Sequence, residues 1–189
     1  MGSEVIKIAN CSGYYGDRLS AAKEMVEGGP IDVLTGDYLA ELTMTILFNQ
    51  KLKRGDDKGY VGTFLKQLKD VAKTCKEKEI KIVTNAGGLN PKSMANEIQI
   101  ILSELGLEMQ VAYIDGDDLM PRMSDLQNIG EEFINIDKEM SLKDSGYTTL
   151  TANAYLGGWG IKEALDTVSY THLTLPTKRM CRSRWSPYH

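Results

Sequence analysis

Ile80-Lys81-Ile82-Val83-Thr84 runs straight into Asn85-Ala86-Gly87-Gly88-Leu89-Asn90-Pro91, and this join decides the fold class. The first five residues are rich in β-branched side chains and read as a strand. Two glycines then let the backbone turn. Asn90 offers a side chain that caps a helix, and Pro91 fits the first turn, where it has no hydrogen bond to lose. Met94, Ile98, Ile101, Leu102 and Leu105 follow at helical spacing, and Gly106 stops the helix. Strand, glycine turn and amphipathic helix together make the unit of a parallel α/β sheet.

The same alternation extends in both directions. Residues 5–9 read as a first strand and 17–27 as a helix with Leu19, Ala22 and Val26 on one face, ended by Gly28-Gly29-Pro30. Residues 31–34 read as a second strand. A helix over 38–53 carries Leu39, Leu42, Ile46 and Leu47. A polar loop at 54–59 leads to the cleanest helical period in the chain: Val61, Phe64, Leu65, Leu68, Val71, Ala72 and Cys75. Beyond Gly106, residues 109–114 read as a fourth strand and 148–152 as a fifth. Residues 121–145 read as an irregular or helical excursion, and Ile161 opens a last helix. The expected architecture is a Rossmann-like parallel sheet with flanking helices, truncated. Strands 5–9, 31–34, 80–84 and 109–114 are expected as neighbours joined by right-handed connections.

Residues 168–189 read differently. One choice of codons for 168–177 spells the read-through of a transposase-based sequencing adapter. Residues 181–189 spell its distal flow-cell end, and Lys178-Arg179-Met180 falls where a sample barcode sits. The expectation is an incomplete N-terminal α/β domain over 1–167, followed by a non-native, disordered tail. The competing reading is a genuine basic tail. Setting it aside removes both histidines, His172 and His189, and four basic residues. The 22 basic residues become 18 against 26 acidic ones, a net charge of −8. A histidine-free body has no His triad and no His metal ligand. An acidic body argues against nucleic acid as partner. Cys11 and Cys75 lie far apart and read as thiols in a reducing compartment. With no apolar run of spanning length and no signal peptide, no membrane is expected, and the chain reads as cytoplasmic.

Chemistry is expected where the strands end. In a parallel sheet the loops after each strand leave on one edge, where open α/β sheets bind ligands. Those loops are residues 10–18, 35–38, 84–91 and 115–118, with Asn153 and Gly157-Gly158-Trp159-Gly160 after the fifth strand. Glycines let the backbone approach a ligand, and helix N-termini favour an anion. Ser12, Gly13, Gly16 and Asp17 are the expected binding residues on one side, with Asn85, Gly87, Gly88 and Asn90 opposite. Asp37 and Asp117 are the acid–base candidates. A tight turn is the plain reading of any one of these loops. Asp115, Asp117 and Asp118 read more simply as a solvated turn than as a cation site, and no metal or cofactor is assigned. Cys11 reads as a small buried residue, since no histidine accompanies it.

Gly13 and Gly16 with Thr84-Asn85-Ala86-Gly87 give a partial likeness to short-chain dehydrogenases. It fails because the first loop lacks the full glycine spacing and no body tyrosine has Lys four positions later. A fuller resemblance exists. Ser12-Gly13-Tyr14-Tyr15-Gly16-Asp17-Arg18, then residues 31–41, then residues 84–91 resemble the acyclic terpene utilisation protein (AtuA) family. Asp115-Gly116-Asp117-Asp118 and residues 151–157 continue the match in order. The resemblance implies a place in bacterial breakdown of acyclic terpenes such as citronellol and geraniol, alongside acyl-CoA enzymes. Family members are longer and continue past Ala164-Leu165-Asp166 into a further strand. Three readings follow: a domain that binds a small anionic or acyl-CoA-type metabolite, a non-catalytic binding or assembly subunit of a catabolic acyl-CoA carboxylase system, or a nucleotide-binding oxidoreductase. Macromolecular partners in these readings are a second copy of the chain or an acyl-CoA enzyme.

Overall fold

A computed structural model describes residues 5–167. The tail read as adapter-derived lies outside the described residues. Three strands form a parallel sheet in the order β1 (Ile8–Asn10), β2 (Val33–Gly36), β3 (Lys81–Thr84). Ile8 pairs with Val33, and Val33 with Lys81. Between the strands run α1 (Ala21–Glu27), then α2 (Glu41–Arg54) and α3 (Gly62–Glu77), and α4 (Pro91–Glu104) follows β3. A 3-10 turn at Met120–Arg122 leads to the short α5 (Met123–Asn128) and α6 (Leu142–Ser145), and α7 (Trp159–Thr167) closes the described chain. No helix among the described residues is long and apolar enough to cross a membrane.

The α/β fold follows the helical stripes. In α3 and the residue before it, Val61, Phe64, Leu68, Val71, Ala72 and Cys75 are all buried, and Leu65 is half-buried. This helix packs on α1 and on α4, and α1 lies on β1 and β2. The layer seals the sheet face that carries Leu34, Gly36, Ile82 and Thr84. Each fully buried aliphatic side chain contributes about 1.5–3 kcal/mol. The opposite face carries Ile8, Val33, Thr35 and Val83. Ile8 is 65% exposed there and the other three are half-buried. Parallel sheets are ordinarily covered on both faces; among the described residues this one is covered on one. In α2 the expected stripe is only partly used, because Leu47 is buried while Leu42 faces out.

The fourth and fifth strands do not form. Residues 109–114 bury Met109 and Ile114 and pack Val111 on the core, but no ladder joins them to β3. Side chains take the carbonyls at the start of the segment. Lys76 Nζ of α3 donates to Glu108 O, and Gln99 Nε2 of α4 donates to Met109 O at 3.4 Å. Apolar content here predicts burial correctly and pairing wrongly. Residues 148–152 pair with nothing parallel. Their end meets the 115–119 loop through one antiparallel bridge, Asp118 to Asn153, with Leu119 N–H donating to Ala152 O at 2.8 Å.

One glycine after β3 fixes the packing of the loops. Gly88 has φ +53°, and a Cβ there would lie 2.3 Å from Leu47 Cδ1 and 2.9 Å from the carbonyl oxygen of Gly59. Leu89 N–H donates to that same carbonyl at 2.8 Å, so the Gly59 backbone cannot withdraw without breaking a bond. Gly88→Ala is expected to cost about 2–4 kcal/mol, from the left-handed backbone and the overpacking together. Gly13→Ala, with nothing within 4 Å of its Cβ, is expected to stay within about 0.5 kcal/mol. Urea midpoints of the two variants check the difference.

Candidate functional site

The carboxyl ends of the three strands are tied together by side chains. Beyond β1, Asn10 Nδ2 donates to Ser12 O at 2.9 Å, and Asp37 N–H donates to the same oxygen at 3.0 Å. Beyond β3, Thr84 Oγ1 donates to Gly36 O at 2.8 Å. Asn85 then bridges to the residues after β2. Its Nδ2 donates to Asp37 Oδ1 at 2.6 Å, and its Oδ1 accepts the Tyr38 N–H at 2.8 Å. Among the described residues, both bonds that the Asp37 carboxylate accepts, from Asn85 and from Leu39 N–H at 3.4 Å, fall on Oδ1. Asp37 is exposed, so the edge presents an oriented carboxylate.

Beneath this edge lies a buried polar chain. The Tyr38 hydroxyl donates to Gln67 Oε1 at 2.5 Å and sits 3.8 Å from Cys11 Sγ, while Gln67 Nε2 donates to Arg18 O at 3.3 Å. The Tyr38 ring passes under Gly36, where a Cβ would lie 2.6 Å from ring Cε2. Burial pushes the Tyr38 hydroxyl pKa well above its ordinary value. Burial also pushes the Cys11 thiol up, more than its bond to Tyr38 lowers it. Neither group is poised as a nucleophile or base near neutrality.

The first loop satisfies its own amides. Asp17 Oδ2 accepts the Gly13 N–H at 3.0 Å, and Oδ1 accepts the Arg18 N–H at 2.7 Å. These two bonds, Gly13 first, hold the Asp17 carboxyl below its ordinary pKa. The helix expected from residue 17 begins only at Ala21, and α1 has seven residues. The loop therefore does not lead directly into a helix N-terminus, which dinucleotide-binding loops require.

Asp117 sits apart from this cluster. It is half-buried, accepts from Asn153 Nδ2 at 2.9 Å, and its carbonyl accepts the Ala154 N–H at 2.8 Å. Burial raises its pKa above the ordinary carboxylate value, against the lowering effect of Asn153. Among the described residues, no group of three acidic, Cys or His side chains is arranged to hold a metal ion, the aspartates at 115, 117 and 118 included.

A family model described as acyclic terpene utilisation family protein AtuA matches residues 6–168. The chain belongs to that family. No curated protein and no solved structure matches the chain significantly.

In this AtuA-family chain the expected site residues divide into two sets. Ser12, Gly13, Asp17, Asp37 and Asn85 are linked, directly or through the residues 12–18 loop, by the bonds just described. Gly16 lies in the same loop with φ +96°. Gly87, Gly88 and Asn90 form the second set, and Asp117 stands apart from both. Ser12 itself is 2% exposed and donates to Tyr14 O, Gly87 and Gly88 are buried, and Asn90 caps α4 by accepting the Ser93 N–H at 3.2 Å. Asn90 Nδ2 also donates to Asp56 O at 2.8 Å. Tyr38 enters the sequence reading only as part of the 35–38 loop, and Gln67, which holds its hydroxyl, escapes that reading. Gln67 carries the only available signal: a polar residue among Phe64, Leu68 and Val71 at buried helical positions.

Asp117 generates a pH prediction. Its folded pKa is raised, so its protonated form favours the fold. That contribution is full below the unfolded carboxylate value of 3.8 and is lost as pH rises through the raised folded value. Asp117→Asn keeps an acceptor for Asn153 and removes the titration. The variant is expected to be at least as stable as the parent at pH 7, with a flatter melting temperature between about pH 4 and 7. A parent profile that rises with pH across that window more steeply than the variant's contradicts the assignment.

Proposed function

We propose that this AtuA-family chain binds a small carboxylate or acyl-coenzyme A-type metabolite of acyclic terpene breakdown at the carboxyl edge of its sheet. The observation that carries the reading is the Asn85 bridge, which fixes an exposed Asp37 carboxylate between the ends of β2 and β3. A carboxylate held through one oxygen keeps the other for a ligand, so Asp37 is the group that exchanges a proton with a bound hydroxyl or carboxyl. Gly13 and Arg18 supply N–H groups in the first loop, which is joined to Asp37 through the Ser12 carbonyl. Asp17 holds these groups, and a ligand carboxylate or phosphate oxygen takes its place by exchange. Asp117, bonded to the residue 152–154 segment, serves as a second acid–base group only if a ligand reaches both regions. A cytoplasmic setting fits Cys11 and Cys75, both buried as free thiols.

A second reading, a non-catalytic assembly subunit beside an acyl-CoA carboxylase, draws on a different surface. Ile129 is 82%, Tyr155 81% and Trp159 73% exposed, all in the C-terminal part of the described chain. Aromatic side chains left in water are typical anchors for a protein partner.

Calorimetric titration of a branched acyl-coenzyme A thioester, and of its free acid, separates the two. Gly13→Val adds bulk to open space and is expected to weaken binding about tenfold or more while leaving the fold intact by circular dichroism. Asp37→Asn is expected to lower turnover more than affinity. Binding unchanged by Gly13→Val in a folded protein contradicts the edge site. Trp159→Ala is expected to leave metabolite binding unchanged.

A further inference from the structure

Helices α3 and α4 lie side by side and leave a groove of about 260 Å³ on the surface. Its floor is apolar, with Leu65 half-buried and Ile100 54% exposed. Its rims differ in sign. Along the groove α3 contributes Lys66 and Lys69, while α4 contributes Glu97 and Glu104. Lys69 and Glu104 pair across the groove at 3.7 Å. Lys66 and Glu97 take no ion pair among the described residues. Charges of both signs interspersed along one helix serve solvation. Here, within the groove, sign follows the helix, and an outward isoleucine lies between the two rows.

We propose that this face joins two copies of the chain. Consider a two-fold axis running along the groove in the plane of the contact. It lays α3 of one copy on α4 of the other, so that each cationic rim meets an anionic one and Ile100 is covered from both sides. An axis across the groove would set Lys against Lys and Glu against Glu, which disfavours that alternative. The pairing is isologous, as closed dimers require, and Lys66 meets Glu97 of the partner subunit twice. Helices of 16 and 14 residues are each roughly 20–24 Å long. A face of that size falls at the low end of specific interfaces, so association in the micromolar range is expected. None of the groove residues belongs to the carboxyl-edge cluster, so the inference stands independently of the proposed metabolite.

Sedimentation velocity on the purified chain across about 1–100 micromolar tests it. The parent is expected to dimerise. Ile100→Glu, at an exposed position that does not threaten folding, is expected to leave only monomer. Lys66→Glu and Glu97→Lys are each expected to weaken the dimer about tenfold. Mixing the two reversed variants is expected to restore it. The altered, acidic position 66 of one variant then faces the altered, basic position 97 of the other, and the two unaltered residues, Glu97 and Lys66, meet across the axis. An intrachain role for the same charges gives no rescue on mixing. A parent that stays monomeric throughout, a dimer untouched by Ile100→Glu, or failure of the mixed variants to associate overturns the proposal.

Discussion

The carboxamide of Asn85 is the tie on which the carboxyl edge depends. One side chain after β3 bonds both the Asp37 carboxylate and the Tyr38 N–H after β2, at 2.6 and 2.8 Å. An aspartate in its place would set two carboxylates against each other, and an alanine would leave the Tyr38 amide without its partner. Because the tie fixes where β2 ends, it also fixes where the Tyr38 ring goes. The ring drops under Gly36, meets Phe64 edge-on with centroids 5.9 Å apart, and its hydroxyl donates to Gln67. Gln67 in turn holds Arg18 O, so the first loop is supported from below by a residue of α3. A buried, charge-free chain of this kind favours one loop geometry over its neighbours.

Much of this is legible in the sequence, for reasons that differ by element. The strand–turn–helix unit at residues 80–105 and the stripe of α3 are legible because local signals agree: β-branched run, Asn cap, Pro at the first turn, apolar spacing. Residues 109–114 read as a strand and are none, because an apolar run reports burial, and whether a ladder forms depends on what else claims the carbonyls. Lys76 and Gln99 claim those of Glu108 and Met109 from two different helices. Residues 17–20 read as helix and are loop, because the capping use of Asp17, back toward Gly13, competes with helical bonding in a way composition does not reveal.

The site divides similarly. Asp37 and Asn85 stand out as polar residues just past strand ends, and the structure brings them into contact. Gly87, Gly88 and Asn90 carry the same composition, yet Gly88 makes room for Leu47 and Gly59, and Asn90 caps α4. Glycine and Asn serve tight packing and ligand approach alike, and only the third dimension separates the two uses. Membership of the acyclic terpene utilisation family is matched over residues 6–168, and the proposed site rests on the Asp37 carboxylate oriented by Asn85 together with the first-loop amides held by Asp17.

The most direct test of this account is a nitrogen-15 amide correlation spectrum of the chain titrated with a branched acyl-coenzyme A thioester. The account predicts that the Gly13, Arg18, Asp37 and Tyr38 amides shift together and saturate at one affinity, with Asn85 side-chain resonances moving in step. Shifts confined to residues 115–167, or a saturating calorimetric signal with the edge amides unmoved, would contradict it.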